Sequence, residues 1–115
     1  MSTQVRQVNL KEGMPTVEQA RARLLQELAA AERRKDAALK IVHGYGSSGV
    51  GGRLKDAIRS SLRRRRKEGR VRLIVTGENW SAFDKTAAEV LDLCPALRRD
   101  PDLDRSNEGI TIVLM

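Results

Sequence analysis

The stretch LKIVHGYGSSGVGGRLKDAI, residues 39 to 58, organises everything around it. A short apolar run, Leu39 to Val42, meets the only histidine, His43, and five glycines follow among the nine residues 44 to 52. The chain then enters a 3.6-residue pattern studded with arginine. A compact apolar run bounded by glycine is the mark of a strand buried in a sheet, and the glycine junction carries it into a helix. The unit is therefore strand, glycine loop, helix.

Outward from that unit the same alternation continues. Upstream, TVEQARARLLQELAAAERRK (16 to 35) reads as a helix. Thr16 and Gln19 have the spacing of a capping box with Pro15 just ahead, and Val17, Ala20, Leu24, Leu28 and Ala31 recur on one face. VRQVNL before it is a strand. Downstream, RLKDAIRSSLRRRRKEG predicts a helix that starts at Arg53, buries Leu54, Ala57, Ile58, Ser61 and Leu62, and stops at Gly69. VRLIVTG is the third strand. Ser81 and Asp84 are candidate caps for a third helix carrying Phe83, Ala87, Val90, Leu91 and Leu93, which ends near Pro95. RRDPDLDRSNEG is a polar turn-rich connection, and ITIVLM is the last strand. This rhythm predicts an α/β layer fold with right-handed crossovers. Ligands in such folds bind beyond the carboxyl ends of the strands, which gathers Asn9 to Gly13, His43 to Gly52 and Thr76 to Trp80 at one rim.

Composition bounds the partners. At 115 residues the chain is expected to form one domain, spanning 1 to 115. No run approaches the ~20 apolar residues of a membrane span, and the amino terminus lacks an apolar signal core, so a cytoplasmic location is expected. One cysteine and one histidine cannot assemble a zinc site, and Cys94, among leucines and valine, reads as a core residue. The formal net charge is +7, unevenly spread: residues 1 to 52 contribute +3, residues 53 to 72 contribute +8 and residues 73 to 115 contribute −4. A basic block after the glycine loop calls for a polyanionic partner.

Glycine admits positive φ and lets backbone N–H groups turn toward a ligand, and a following helix adds its own unpaired N–H groups. The loop is thus a candidate anion site. GYGSSG matches GxGxxG after a strand, so a dinucleotide site is a candidate, but the helix starts late, no acidic residue follows at the required distance, and the phosphate-loop lysine is absent. Lys55, Arg59, Arg63 and Lys67 are spaced by four along one side of the helix, where they could follow a phosphate backbone. His43 has two readings: a hydrogen-bonding residue at a strand end, or a proton-transfer group at the rim.

These residues resemble a known family. LKIVHGYGSSGVGGRLKDAI is similar to the HGxGxGxLR segment of the small MutS-related (Smr) domain, with His43, Gly44, Tyr45 and Gly46 on the HGxG and Leu54 and Lys55 on the LR. GMPTVEQARARLLQEL resembles that family's first helix and EGITIVLM its last strand. The similarity covers most of residues 5 to 75 and 108 to 115. It implies a small two-layer α/β sandwich with a four-stranded, mainly parallel sheet, related to the C-terminal domain of a translation initiation factor. It also implies binding of DNA or RNA, and endonuclease activity in many members. The family's Asp-Leu-His-Gly motif, associated with cleavage, falls on NLKEG: Asn9 on the Asp, Leu10 on the Leu, Lys11 on the His, with Glu12 inserted before Gly13.

Asn cannot accept a proton as a carboxylate does, and a lysine with an ordinary pKa of about 10.4 is no base at neutral pH. The expected function is phosphate-backbone binding through Lys11, Gly44, Tyr45, Gly46, Gly49, Arg53, Lys55, Arg59 and Arg63. Any remaining cleavage would rest on Glu12, His43 and Glu78, with the two carboxylates holding Mg²⁺, the one cofactor the rim suggests. The alternatives are a small non-catalytic nucleotide- or phosphate-binding module, and an interaction domain whose third helix docks a protein.

Overall fold

The computed structural model describes residues 3–45 and 50–115. The elements are β1 (Val5–Asn9), α1 (Val17–Arg34), β2 (Ala38–Val42), α2 (Val50–Lys67), β3 (Leu73–Thr76), α3 (Lys85–Leu93) and β4 (Ile110–Leu114), with 3-10 turns at Gly77–Asn79 and Pro95–Arg99. They form one four-stranded sheet in the order β1-β2-β4-β3.

Burial explains that order. β4 is buried at all five positions and β2 at four of five, so both need a neighbour on every side and on both faces, and they take the centre. β1 and β3 are more exposed and form the edges. β1 and β2 are parallel, with Val5 opposite Ala38. β4 is antiparallel to both of its neighbours, with Val42 opposite Ile110 and Thr76 opposite Thr111. The sheet is therefore mixed, which corrects the mainly parallel arrangement expected above. The cause lies in the connection after α3, which does not turn tightly into β4. It climbs back to the rim where β3 ended, and Asp104 N–H donates to the Trp80 carbonyl there at 2.8 Å. β4 must then run back down.

α1 and α2 pack together on one face over Val8, Leu10, Leu39, Ile41 and Val113. α3 and the second 3-10 turn cover the other face over Ala38, Val75, Ile110, Ile112 and Leu114, with Trp80 and Cys94 buried among them. The expected two layers thus gain a smaller third. Each fully buried Leu or Ile contributes about 1.5–3 kcal/mol. Within this second face Lys40, only 6% exposed, donates to Asp100 at 2.8 Å and pairs also with Asp102. Trp80 Nε1 donates to the other oxygen of Asp100 at 3.0 Å. Burial opposes the charge on Lys40, but its hydrogen bonds to both aspartates and their fields more than offset this, and its pKa lies above the ordinary value. The network ties the long connection to the central strand.

The helix termini follow local chemistry. Thr16 and Gln19 form the expected reciprocal capping box. Asp84 alone caps α3, accepting from Ala87 N–H at 3.0 Å, while Ser81 accepts from Phe83 N–H in the preceding turn. Phe83 consequently lies outside the helix and is 97% exposed, not part of the core. α2 starts at Val50, three residues earlier than expected, and Gly69 in a left-handed conformation follows its end.

Candidate functional site

The carboxyl ends of β1, β2 and β3 share one rim with the start of β4, as the register of the ladders requires. At the end of β1, Asn9 folds its side chain over its own loop and accepts from Lys11 N–H at 3.0 Å. Leu10 turns inward and is fully buried. Lys11 is exposed and its stem passes Gly44, whose β-carbon position would lie 3.3 Å from Lys11 Cδ. Gly13 and Met14, both at positive φ, carry the loop toward α1. Arg23 braces it by donating to the Glu12 carbonyl at 2.9 Å.

His43 is the first correction. It is completely buried. Nδ1 lies 2.7 Å from the Gly44 carbonyl, which can only accept, so this nitrogen carries the proton. Nε2 therefore accepts from the Thr111 hydroxyl at 2.9 Å. Thr111 in turn accepts from Arg59 Nε at 3.0 Å. Burial lowers the His43 pKa to about 4; the Gly44 hydrogen bond opposes that shift, and the nearby Arg59 and Lys55 charges add to it. The ring is a neutral fastener between β2 and β4 with neither nitrogen open to a substrate.

Arg59 and Glu78 are the second. Arg59 is 5% exposed and grips Glu78 with both terminal nitrogens, at 2.8 and 2.6 Å, while also donating to the Ile110 carbonyl at 3.1 Å. These hydrogen bonds hold the Glu78 carboxyl below its ordinary range, against the opposing effect of its partial burial. Lys55 donates to Glu108 at 3.0 Å and lies 3.9 Å from Glu78. The expected basic row along α2 is therefore interrupted: Lys55 and Arg59 are spent on this chain's own carboxylates. Arg63 and Lys67 further along are exposed. Arg53 near the start of α2 is exposed too, and no ion pair occupies it or Lys11 among the described residues.

In the described structure His43 and Glu78 are each engaged within the protein, while Glu12 is exposed. Among the described residues no group of three or more His, Cys, Asp or Glu side chains converges to hold a metal. Both Glu78 oxygens are engaged by Arg59, and Glu12 is a lone exposed carboxylate, so the donor set does not fit Mg²⁺. Gly44, at φ +73, gives its N–H to the Gly109 carbonyl, which also accepts from His43 N–H, each at 3.0 Å. That amide is not open to an anion. Gly46 and Gly49 lie outside the described residues.

Two residues that sequence reasoning passed over complete the rim. Thr111 links His43 to Arg59 from 68 residues away in the chain, and Gly109 anchors the loop entrance. Neither carries a local signal, since a threonine in a strand and a glycine before one are ordinary.

The Smr domain family model matches residues 12–78, more than half of the chain. The chain belongs to the Smr domain family. Over 95% of either chain, this Smr domain superposes on the Smr domain of Thermus thermophilus MutS2 with a TM-score of 0.59 and 24% identity, a likeness of fold. No curated relative matches it in sequence. The family match starts at Glu12, so Asn9 and Lys11 stand just outside it.

Proposed function

We propose that this Smr domain binds nucleic acid by its phosphate backbone and does not cut it. The observation that carries the reading is Lys11. It stands where the resemblance puts a histidine, and its stem lies against Gly44 at the mouth of the glycine loop. An unpaired cation there suits a phosphate. The first turn of α2 adds the positive end of a helix dipole, and Arg53 adds charge within it. Arg64, Arg66 and Lys67 of the last turn supply further contacts for an extended polyanion.

Cleavage finds no support in the same residues. The proton-transfer candidates are a buried neutral imidazole, a carboxylate locked to arginine and an isolated surface carboxylate. Electrophoretic analysis of labelled single- and double-stranded DNA and RNA, incubated with the protein in Mg²⁺ or EDTA, is expected to show retention without shortening. Lys11→Gln and Arg53→Gln should each weaken binding roughly 10- to 150-fold, the effect of one lost charged hydrogen bond. Cutting that depends on Glu12, or binding indifferent to both substitutions, overturns the reading.

A further inference from the structure

Tyr45 stands at the same rim with 58% of its surface exposed. Single exposed apolar residues are ordinary, but this one is seated. A β-carbon on Gly109 would meet Tyr45 Cδ1 and Asn107 Oδ1 each at 3.1 Å, tighter than ordinary contact, so glycine there lets the ring lie close against the backbone that leads into β4. Gly109 is itself pinned by the two N–H groups its carbonyl accepts. On the other side of Gly44 runs the stem of Lys11. An exposed aromatic ring lying against Gly109 thus sits one residue from Gly44, which the stem of an unpaired cation passes. The chain has one Trp, one Tyr and one Phe, and the tryptophan is committed to the core.

We propose that Tyr45 is a stacking platform for an unpaired base, and that this Smr domain consequently takes single-stranded nucleic acid in preference to duplex. The proposal rests on the phosphate-binding reading above and adds the substrate class. A base inside a duplex has both faces covered by its neighbours, whereas an unpaired base can lay one face on an aromatic ring while its phosphate meets the adjacent cation. Stacking of this kind is indifferent to base identity because every base has such a face. Binding is therefore expected to tolerate sequence and to discriminate by strandedness.

The test uses fluorescence anisotropy of the intact chain with a labelled single strand of roughly 12 nucleotides and with its blunt duplex, a length within the site size of a single module. The wild type should bind the single strand more tightly. Tyr45→Ala should weaken the single strand about 5- to 100-fold and leave the duplex unchanged, and Tyr45→Phe should retain wild-type affinity for both. Because the ring is largely exposed, these variants keep the fold, which circular dichroism verifies. An equal loss on both ligands, or no loss on the single strand, overturns the stacking proposal while leaving phosphate binding intact. Failure of the wild type to bind either ligand overturns the phosphate-binding reading itself.

Discussion

The Thr111 hydroxyl settles the charge on His43. Arg59 already donates to its oxygen, so its one proton is free for His43 Nε2, and a protonated ring would have to reverse that bond beside a buried guanidinium. The folded-state pKa of about 4 lies below the ordinary 6.5, so the unfolded chain takes up the proton first. Stability is then fully present above pH 6.5 and drains as pH falls toward 4, at about 1.4 kcal/mol per pH unit. Between pH 6.5 and 5, before most carboxylates titrate, urea unfolding should register a loss of about 2 kcal/mol that is missing from the slope of His43→Asn. A flat profile would mean that the imidazole is not held neutral. At this scale the sequence was legible only in part. Cys94 and the capping pair Thr16 and Gln19 declare themselves by their neighbours. The fates of His43, Arg59 and Glu78 do not, because each is decided by a partner far away in the chain: Thr111 across the β2–β4 ladder for His43, and Arg59 and Glu78 for one another.

Among the elements, α2 holds the sharpest tension between propensity and packing. Its first turn contains Gly51 and Gly52, each costing about 1 kcal/mol against alanine, which is why the sequence alone places the helix start at Arg53. Packing of Leu54, Ala57, Ile58 and Leu62 carries the helix back to Val50. Gly52 has no positive φ, and a β-carbon there would meet nothing within 4 Å, so the fold alone does not require glycine. Close approach of a phosphate would. Gly52→Ala is accordingly expected to raise stability by about 0.5–1 kcal/mol in thermal unfolding while weakening oligonucleotide binding several-fold. Added stability with unchanged affinity would place the phosphate elsewhere. The strands teach a related lesson. ITIVLM is apolar on both faces, so its central place could have been read directly. Its direction could not, because RRDPDLDRSNEG resembles a tight turn and only the Lys40, Asp100 and Trp80 network reveals that it spans the sheet.

Over the whole molecule, charge is arranged along α2. Its 18 residues extend about 27 Å at 1.5 Å each, most of the molecule's longest dimension of 36 Å. The middle of the helix is neutralised internally, through Lys55 with Glu108 and Arg59 with Glu78. Among the described residues of α2, the cations without a carboxylate partner fall into two groups: Arg53 toward the rim, where Lys11 also lies, and Arg63, Arg64, Arg66 and Lys67 toward the far end. Arg53 and Lys67 are separated by about 21 Å of helix, a span that a single strand of a few nucleotides covers, so one strand can reach both groups. If these six cations each meet one phosphate of a single strand, log K should fall against log salt with a slope near −4, since each contributes about 0.7. Replacing Arg63, Arg64, Arg66 and Lys67 with Gln should bring the slope to about −1.5 without abolishing binding at low salt, because the rim keeps its two contacts. An unchanged slope would assign the far group to solvent and confine the interface to Lys11, Tyr45, Arg53 and the loop between them.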